Sequence, residues 1–259
     1  MALSLTIGIT GPVLELSALA LFLRNRLWHA YPRLFAYIIW LFIANSAILV
    51  TDLYFRAAYT AVYWYIDSLD IVLRLLVVWE VFQQIFPKNS GLNRSLSKGL
   101  RAVAIVLLIL AFATFWGYQN YPGFPADLAE RVRALHLAVD RSFGFVQALM
   151  ILGTLLIARY YGVRCGRNIR GIALAFGGWI SISTANNAMV AMVDMDSSFR
   201  PFFYYLRPLS FVLMLVVWIW ALWVYEPNPP IKESEAVELD QWAEEWNRTI
   251  STARTIIRP

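Results

Sequence analysis

The stretch from Val62 to Ile85, VYWYIDSLDIVLRLLVVWEVFQQI, decides how the rest of the chain is interpreted. It is long and apolar enough to cross a bilayer, which takes about 20 residues in a helix. It also carries Asp67, Asp70, Arg74 and Glu80. A charge at membrane depth costs roughly 2.5–3.5 kcal/mol on insertion scales, so these side chains should face protein or water and pair with one another.

The composition of the whole chain agrees with a membrane protein. Of 259 residues, 59% are hydrophobic and only 15% are charged, whereas a soluble domain has about 25% charged residues. The sequence therefore predicts an all-α, polytopic membrane bundle of seven transmembrane helices. Their predicted spans are 4–23, 34–54, 61–85, 102–119, 135–158, 172–194 and 202–225.

The charges of the loops predict the orientation of this bundle. Loops 24–33, 87–101 and 159–171 contain many Lys and Arg residues and no acid, whereas the alternate loops are mixed. The positive-inside rule then places the N-terminus outside and the C-terminus in the cytoplasm. The basic pI is explained by this orientation, so we expect no nucleic-acid partner. The short loops fit a bacterial inner (plasma) membrane.

Two domains are predicted from the change in composition near residue 225. Residues 1–225 form the transmembrane domain, and 226–259 form a cytoplasmic tail with a Pro-rich linker and an amphipathic helix. The helix is indicated by apolar residues at three- and four-residue steps, among them Trp242 and Trp246. It either caps the bundle or docks a cytoplasmic or membrane protein partner through these two tryptophans.

A shift of 140 residues aligns two parts of the chain. It places Tyr63–Ile66 on Phe203–Leu206 and Asp67 on Arg207. One interpretation is a parallel repeat of three helices, one linker helix and three helices; the other is chance similarity between membrane segments. The alignment predicts an ion pair between Asp67 and Arg207 across the bundle.

This layout resembles the topology of SWEET sugar carriers, PQ-loop transporters and microbial rhodopsins. The resemblance covers residues 1–225 and concerns topology alone. Helices one and five lack the Pro-Gln pair of the PQ-loop family. The middle of helix seven, Phe211–Trp218, has no lysine for a retinal Schiff base, which excludes a retinal pigment.

A set of polar side chains is predicted in the outer half and middle of the bundle. Asp67, Asp70 and Arg74 share one helix face, and Asp70 and Arg74 can pair within the helix. These charges either form a water-accessible ligand site or only fix helix packing. Glu80 stands apart, as a relay or as a side chain that extends to the inner surface, and we favour the second. The candidate ligand-binding residues are Asp67, Asp70, Arg74, Asp140, Arg141, Arg207, Glu15, Asn45, Asn186 and Asn187.

Enzyme chemistry is not indicated. The chain has two histidines and one cysteine, and it has no phosphate-binding glycine loop or nucleophile motif. His136 and Asp140 are one turn apart, but two side chains do not make a zinc site. We therefore expect no catalytic residue, no metal and no cofactor.

The leading functional hypothesis is an integral membrane protein that binds a small polar or zwitterionic solute in an outward-facing charged cavity. The arginines would hold an anionic group and the aspartates a cationic group, as in a transporter. The alternative is a non-catalytic subunit, or a sensor or receptor component, of a larger membrane assembly. In that case the charges inside the bundle are structural.

Overall fold

The computed structural model describes residues 2–86, 128–192 and 200–226, together with isolated positions between 97 and 109 and between 229 and 248. Within these residues the fold is all-helical, with no strand, which confirms the predicted class. The helices are α1 (Ala2–Arg24), α2 (Pro32–Tyr54), α3 (Arg56–Ile85), α4 (Leu128–Tyr160), α5 (Arg167–Met192) and α6 (Arg200–Leu222).

The prediction of a seven-helix transmembrane bundle is wrong. The described chain forms six helices, and three segments among them are long and apolar enough to cross a membrane. The prediction considers the mean hydropathy of each stretch separately. A helix such as α3 can carry charged residues because neighbouring helices surround their side chains, and a mean hydropathy does not include these neighbours. The predicted span 102–119, the linker of the proposed repeat, and the tail helix with Trp242 and Trp246 lie outside the continuously described ranges. The three apolar segments are Pro32–Tyr54, Val139–Tyr160 and Phe202–Leu222.

The six described helices form a ring of neighbours. Each helix packs against the next in chain order, and α6 returns to pack against α1. Short connections make the helices run in alternating directions within α1–α3 and within α4–α6. Helices α5 and α6 approach closely, since a Cβ atom on Gly171 would lie 2.5 Å from the Cβ of Ala221.

An aromatic core fills one half of the ring. Phe22, Tyr37, Phe82, Phe176 and Trp218 are all fully buried in one cluster. This cluster lies toward the end of the bundle formed by residues 25–31, 161–166 and 223–226, which we name the basic end because of the arginines around it. Asp67, Asp70 and Arg74 of α3 lie farther from that end, in the bundle centre.

The outward surface of the described helices is apolar. Ile43 is 55% exposed and Leu213 is 60% exposed, and Val72 and Leu152 also face outward. Large aliphatic patches of this kind suit a lipid environment better than water. Together with the three apolar segments they indicate a membrane-embedded protein.

Candidate functional site

The bundle centre is built around Arg74 of α3. Its Nε donates to Asp70 Oδ2 at 2.6 Å, and one of its Nη atoms also contacts that oxygen, so the predicted pair within the helix is confirmed. The guanidinium lies 4.8 Å from the centre of the Trp179 ring on α5. The Arg74 side chain is only 3% exposed, so these contacts replace the water that a guanidinium would otherwise bind.

Two further ion pairs connect α3 to its neighbours. Arg74 Nη1 donates to Asp140 Oδ1 of α4 at 3.2 Å, and Asp140 Oδ2 accepts from Asn187 of α5 at 2.8 Å. Arg207 of α6 donates to Asp67 at 3.2 Å. The ion pair predicted between Asp67 and Arg207 is therefore present. One network of charges and amides joins four helices.

A second polar contact joins α1 and α2. Asn45 Nδ2 donates to Glu15 Oε1 at 2.5 Å. Glu15 is completely buried, and its Oε2 has no hydrogen-bond partner among the described residues. No basic side chain within the described ranges pairs with Glu15, in contrast to the three aspartates of the network.

Two predicted site residues belong neither to the network nor to the contact between Glu15 and Asn45. The Nε atom of Arg141 is buried without a hydrogen-bond partner among the described residues, and Arg141 joins none of the ion pairs there. The buried Asn186 leaves its Oδ1 without a partner in the same part of the chain. Sequence spacing predicts how far along a helix each residue lies, but it does not say which way a side chain points.

A cavity of about 280 Å³ lies beside the network. Its wall contains Asp67, Asp70, Arg74, Arg207 and Asn45, which are five of the ten predicted site residues. The size is close to the lower end of ligand pockets, which run from about 300 to 1,000 Å³. The bundle centre thus encloses space next to its charges.

Sequence reasoning missed the aromatic side of this cavity. Trp40, Tyr63, Trp179 and Phe211 line it. None of the four was predicted as a site residue. Tyr63 lies one helical turn before Asp67 and Phe211 one turn after Arg207, and this spacing was the available signal. Pro208 also lines the cavity.

Glu80 plays a different part from the one expected. It neither extends to the surface nor belongs to the central network. Its carboxylate accepts the backbone N–H groups of Arg33 at 3.0 Å and Leu34 at 2.7 Å. These amides lie in the first turn of α2, where no carbonyl of the helix can accept them. Glu80 therefore caps α2 from α3.

The described residues include neither a metal-ligand group nor a thiol activated for nucleophilic attack. Among the described residues, no three His, Cys, Asp or Glu side chains are grouped to hold a metal ion. Cys165 lies in the loop after α4, where burial raises the pKa of its thiol above the usual value. A thiol with a raised pKa is a poor nucleophile.

The arrangement can bind charge and exclude water, which suits recognition of a small molecule. Comparison with known proteins adds no family to this description, because no family model, curated protein or solved structure matches the chain.

Proposed function

We propose that this membrane protein binds a small polar or zwitterionic solute in the cavity of the bundle centre and is transporter-like. The proposal is carried by one observation: residues of the buried ion-pair network and aromatic side chains together line the cavity. In a bundle that needed only tight packing, small residues here would let the helices approach one another and would leave no cavity.

Unmet hydrogen-bonding capacity around the cavity supports a ligand. Trp40 Nε1 and Trp179 Nε1 are buried and have no hydrogen-bond partner among the described residues. Both residues line the cavity. Buried polar atoms are nearly always bonded, so a bound solute or water is the natural partner.

The pair of Asp67 and Arg207 is the expected point of contact. The Arg207 side chain is 25% exposed, whereas that of Arg74 is 3% exposed and is held by Asp70 and Asp140. Among the described residues Arg207 shows a single hydrogen bond, to Asp67, and a guanidinium has five N–H donors. A solute carboxylate can bind the free donors while its cationic group approaches Asp67.

The charge balance favours a solute with a positive group. Three aspartates lie in the centre, namely Asp67, Asp70 and Asp140, and two arginines form ion pairs there within the described chain. Aromatic faces attract cations, quaternary ammonium groups in particular. A small zwitterion with a quaternary ammonium group therefore fits the acids, the arginine and the aromatic wall together.

The test compares glycine betaine with choline, which lacks the carboxylate, and with acetate, which lacks the cation. We expect glycine betaine to bind the protein in lipid nanodiscs, measured by calorimetry, more tightly than either fragment. Arg207→Gln should weaken binding about tenfold or more because it removes hydrogen bonds to the solute carboxylate, and Asp67→Asn should do so because it removes the negative charge beside the quaternary ammonium group.

Matched controls are available at the end of the bundle that lies opposite the basic end. Asp52 and Arg56 are exposed and outside the cavity, so Asp52→Asn and Arg56→Gln should bind as the wild type does. The solute proposal fails if glycine betaine, glycine and L-leucine all leave the calorimetric signal flat and native mass spectrometry finds no retained small molecule. Equal binding by the cavity variants and the wild type would also refute it.

The pairing of Arg74 with two aspartates favours a second function. Since Asp70 and Asp140 already neutralise it, the network can be purely structural, as in a non-catalytic subunit or receptor component of a larger membrane assembly. Stoichiometric co-purification of another polypeptide without a bound solute would support this alternative. For both functions we propose the bacterial inner membrane as the location, on the basis of the short basic loops.

A further inference from the structure

We propose that Glu15 is a proton-binding site that is coupled to the cavity through Asn45. The inference deepens the proposed function and rests on it, since the coupling requires that the cationic group of the solute enters the cavity. The proton-binding part concerns Glu15 alone and can be tested without any solute.

Burial without a counter-charge is the first observation. Glu15 is 0% exposed, and neither an ion pair nor a bond to its Oε2 exists among the described residues. An ionised carboxylate in such a place is strongly disfavoured, and the usual outcome is that the group takes up a proton. Each of the three aspartates of the network, by contrast, lies beside an arginine.

The surroundings of Glu15 are the second observation. α1 packs against α2 and α6. From α2, the neutral Asn45 donates to the carboxyl, and from α3 the negative charge of Asp70 acts on it. On the α6 side, Phe211 lies beside Gly11, and the cation of that region, Arg207, is engaged with Asp67. No cation among these groups opposes protonation, and Asp70 favours it.

Asn45 connects this carboxyl to the cavity. Its amide bonds Glu15 Oε1, and the same residue lines the cavity beside Asp70. When a cationic group enters, it stabilises nearby negative charge, and Glu15 becomes the carboxyl able to ionise. The O–H bond of Glu15 breaks, its electron pair stays on the carboxylate and the proton leaves to water. The arrival of the solute's cationic group beside Asn45 and the release of a proton are therefore linked.

Infrared spectroscopy tests the proton site on the solute-free protein in nanodiscs. We expect a carbonyl band of a protonated carboxylic acid at neutral pH that is lost in Glu15→Gln and retained, shifted, in Glu15→Asp. The exposed Glu226 provides the matched control, and Glu226→Gln should leave the band in place. If the band is absent from the wild type, or persists in folded Glu15→Gln, the proton site is refuted.

Proton release tests the coupling. Glycine betaine is added to protein in weakly buffered solution with a pH-indicator dye, and binding is measured in parallel. The wild type should release up to one proton for each solute bound, whereas Glu15→Gln, at solute concentrations that give the same occupancy, should release none. Equal release from both proteins would overturn the coupling. A wild type with the infrared band that binds no solute would refute the proposed function and leave the proton site standing.

Discussion

The basic end and the bundle centre both bury polar side chains, but they satisfy them differently. At the basic end, side chains bond to backbone: Glu80 caps α2, and Asn168 donates to the carbonyls of Ala221 and Val224 while accepting from the Glu226 amide. In the centre, side chains bond mainly to side chains, and several polar atoms have no partner among the described residues. Hydrogen bonds to backbone groups fix the helix ends, whereas hydrogen bonds between side chains can be exchanged for bonds to a ligand.

The difference also appears in the space around each region. Fully buried aromatic side chains such as Phe82, Phe176 and Trp218 fill the half of the helix bundle near the basic end, whereas the centre adjoins a cavity of about 280 Å³. We interpret the basic end as the rigid part that holds the helices in place. The centre is the part in which charge and space are available for binding.

The largest effect is expected from Arg74→Gln. This change leaves Asp70 and Asp140 buried without their cation, and breaking a buried pair in this way costs about 3–5 kcal/mol. Denaturant unfolding in detergent should show this loss, and Asp70→Asn in addition to Arg74→Gln should recover part of it. An Arg74→Gln protein as stable as the exposed control Arg56→Gln would show that the network contributes nothing to folding.

A smaller effect is expected at the basic end from Glu80→Ala. Two backbone N–H groups of α2 lose their acceptor, and an unsatisfied buried donor costs about 1–3 kcal/mol. Amide hydrogen exchange at Arg33 and Leu34 should accelerate, while solute binding in the cavity should stay unchanged. Weakened binding with unchanged exchange would contradict the division into a structural end and a binding centre.

The smallest effect is expected from Ser183→Ala on α5. Its hydroxyl is buried but has no hydrogen-bond partner among the described residues. Removing an unsatisfied group breaks no bond, so we expect a change in stability within about 0.5 kcal/mol. A clear loss of stability would mean that the hydroxyl bonds a water or solute in the folded protein.

How far the site was predictable depends on the distance along the chain between partners. Asp70 and Arg74 are four residues apart on a helix, so their pairing follows from helix geometry. The pair of Asp67 and Arg207 was predicted only through the internal alignment. The contacts of Asp140 with Arg74 and of Asn45 with Glu15 were not predicted, because they depend on how helices rotate against one another.

The errors have the same origin. Glu80 was expected at the surface because its position near a helix end permits that, and only the arrival of the α2 N-terminus beside it determines its actual partner. Seven spans were predicted because apolar averages ignore neighbours, whereas the described chain has six helices with three apolar segments long enough to span a membrane.

The sequence by itself determined the helical class, the membrane-embedded character and the depth at which each charge lies in its helix. These properties follow from apolar composition and from the rise of a helix, which are local. Only the tertiary structure decided which charges pair, that Glu15 is left without a cation, and that a cavity lies beside Arg207. Those outcomes depend on helix rotation and packing, which join residues far apart in the chain.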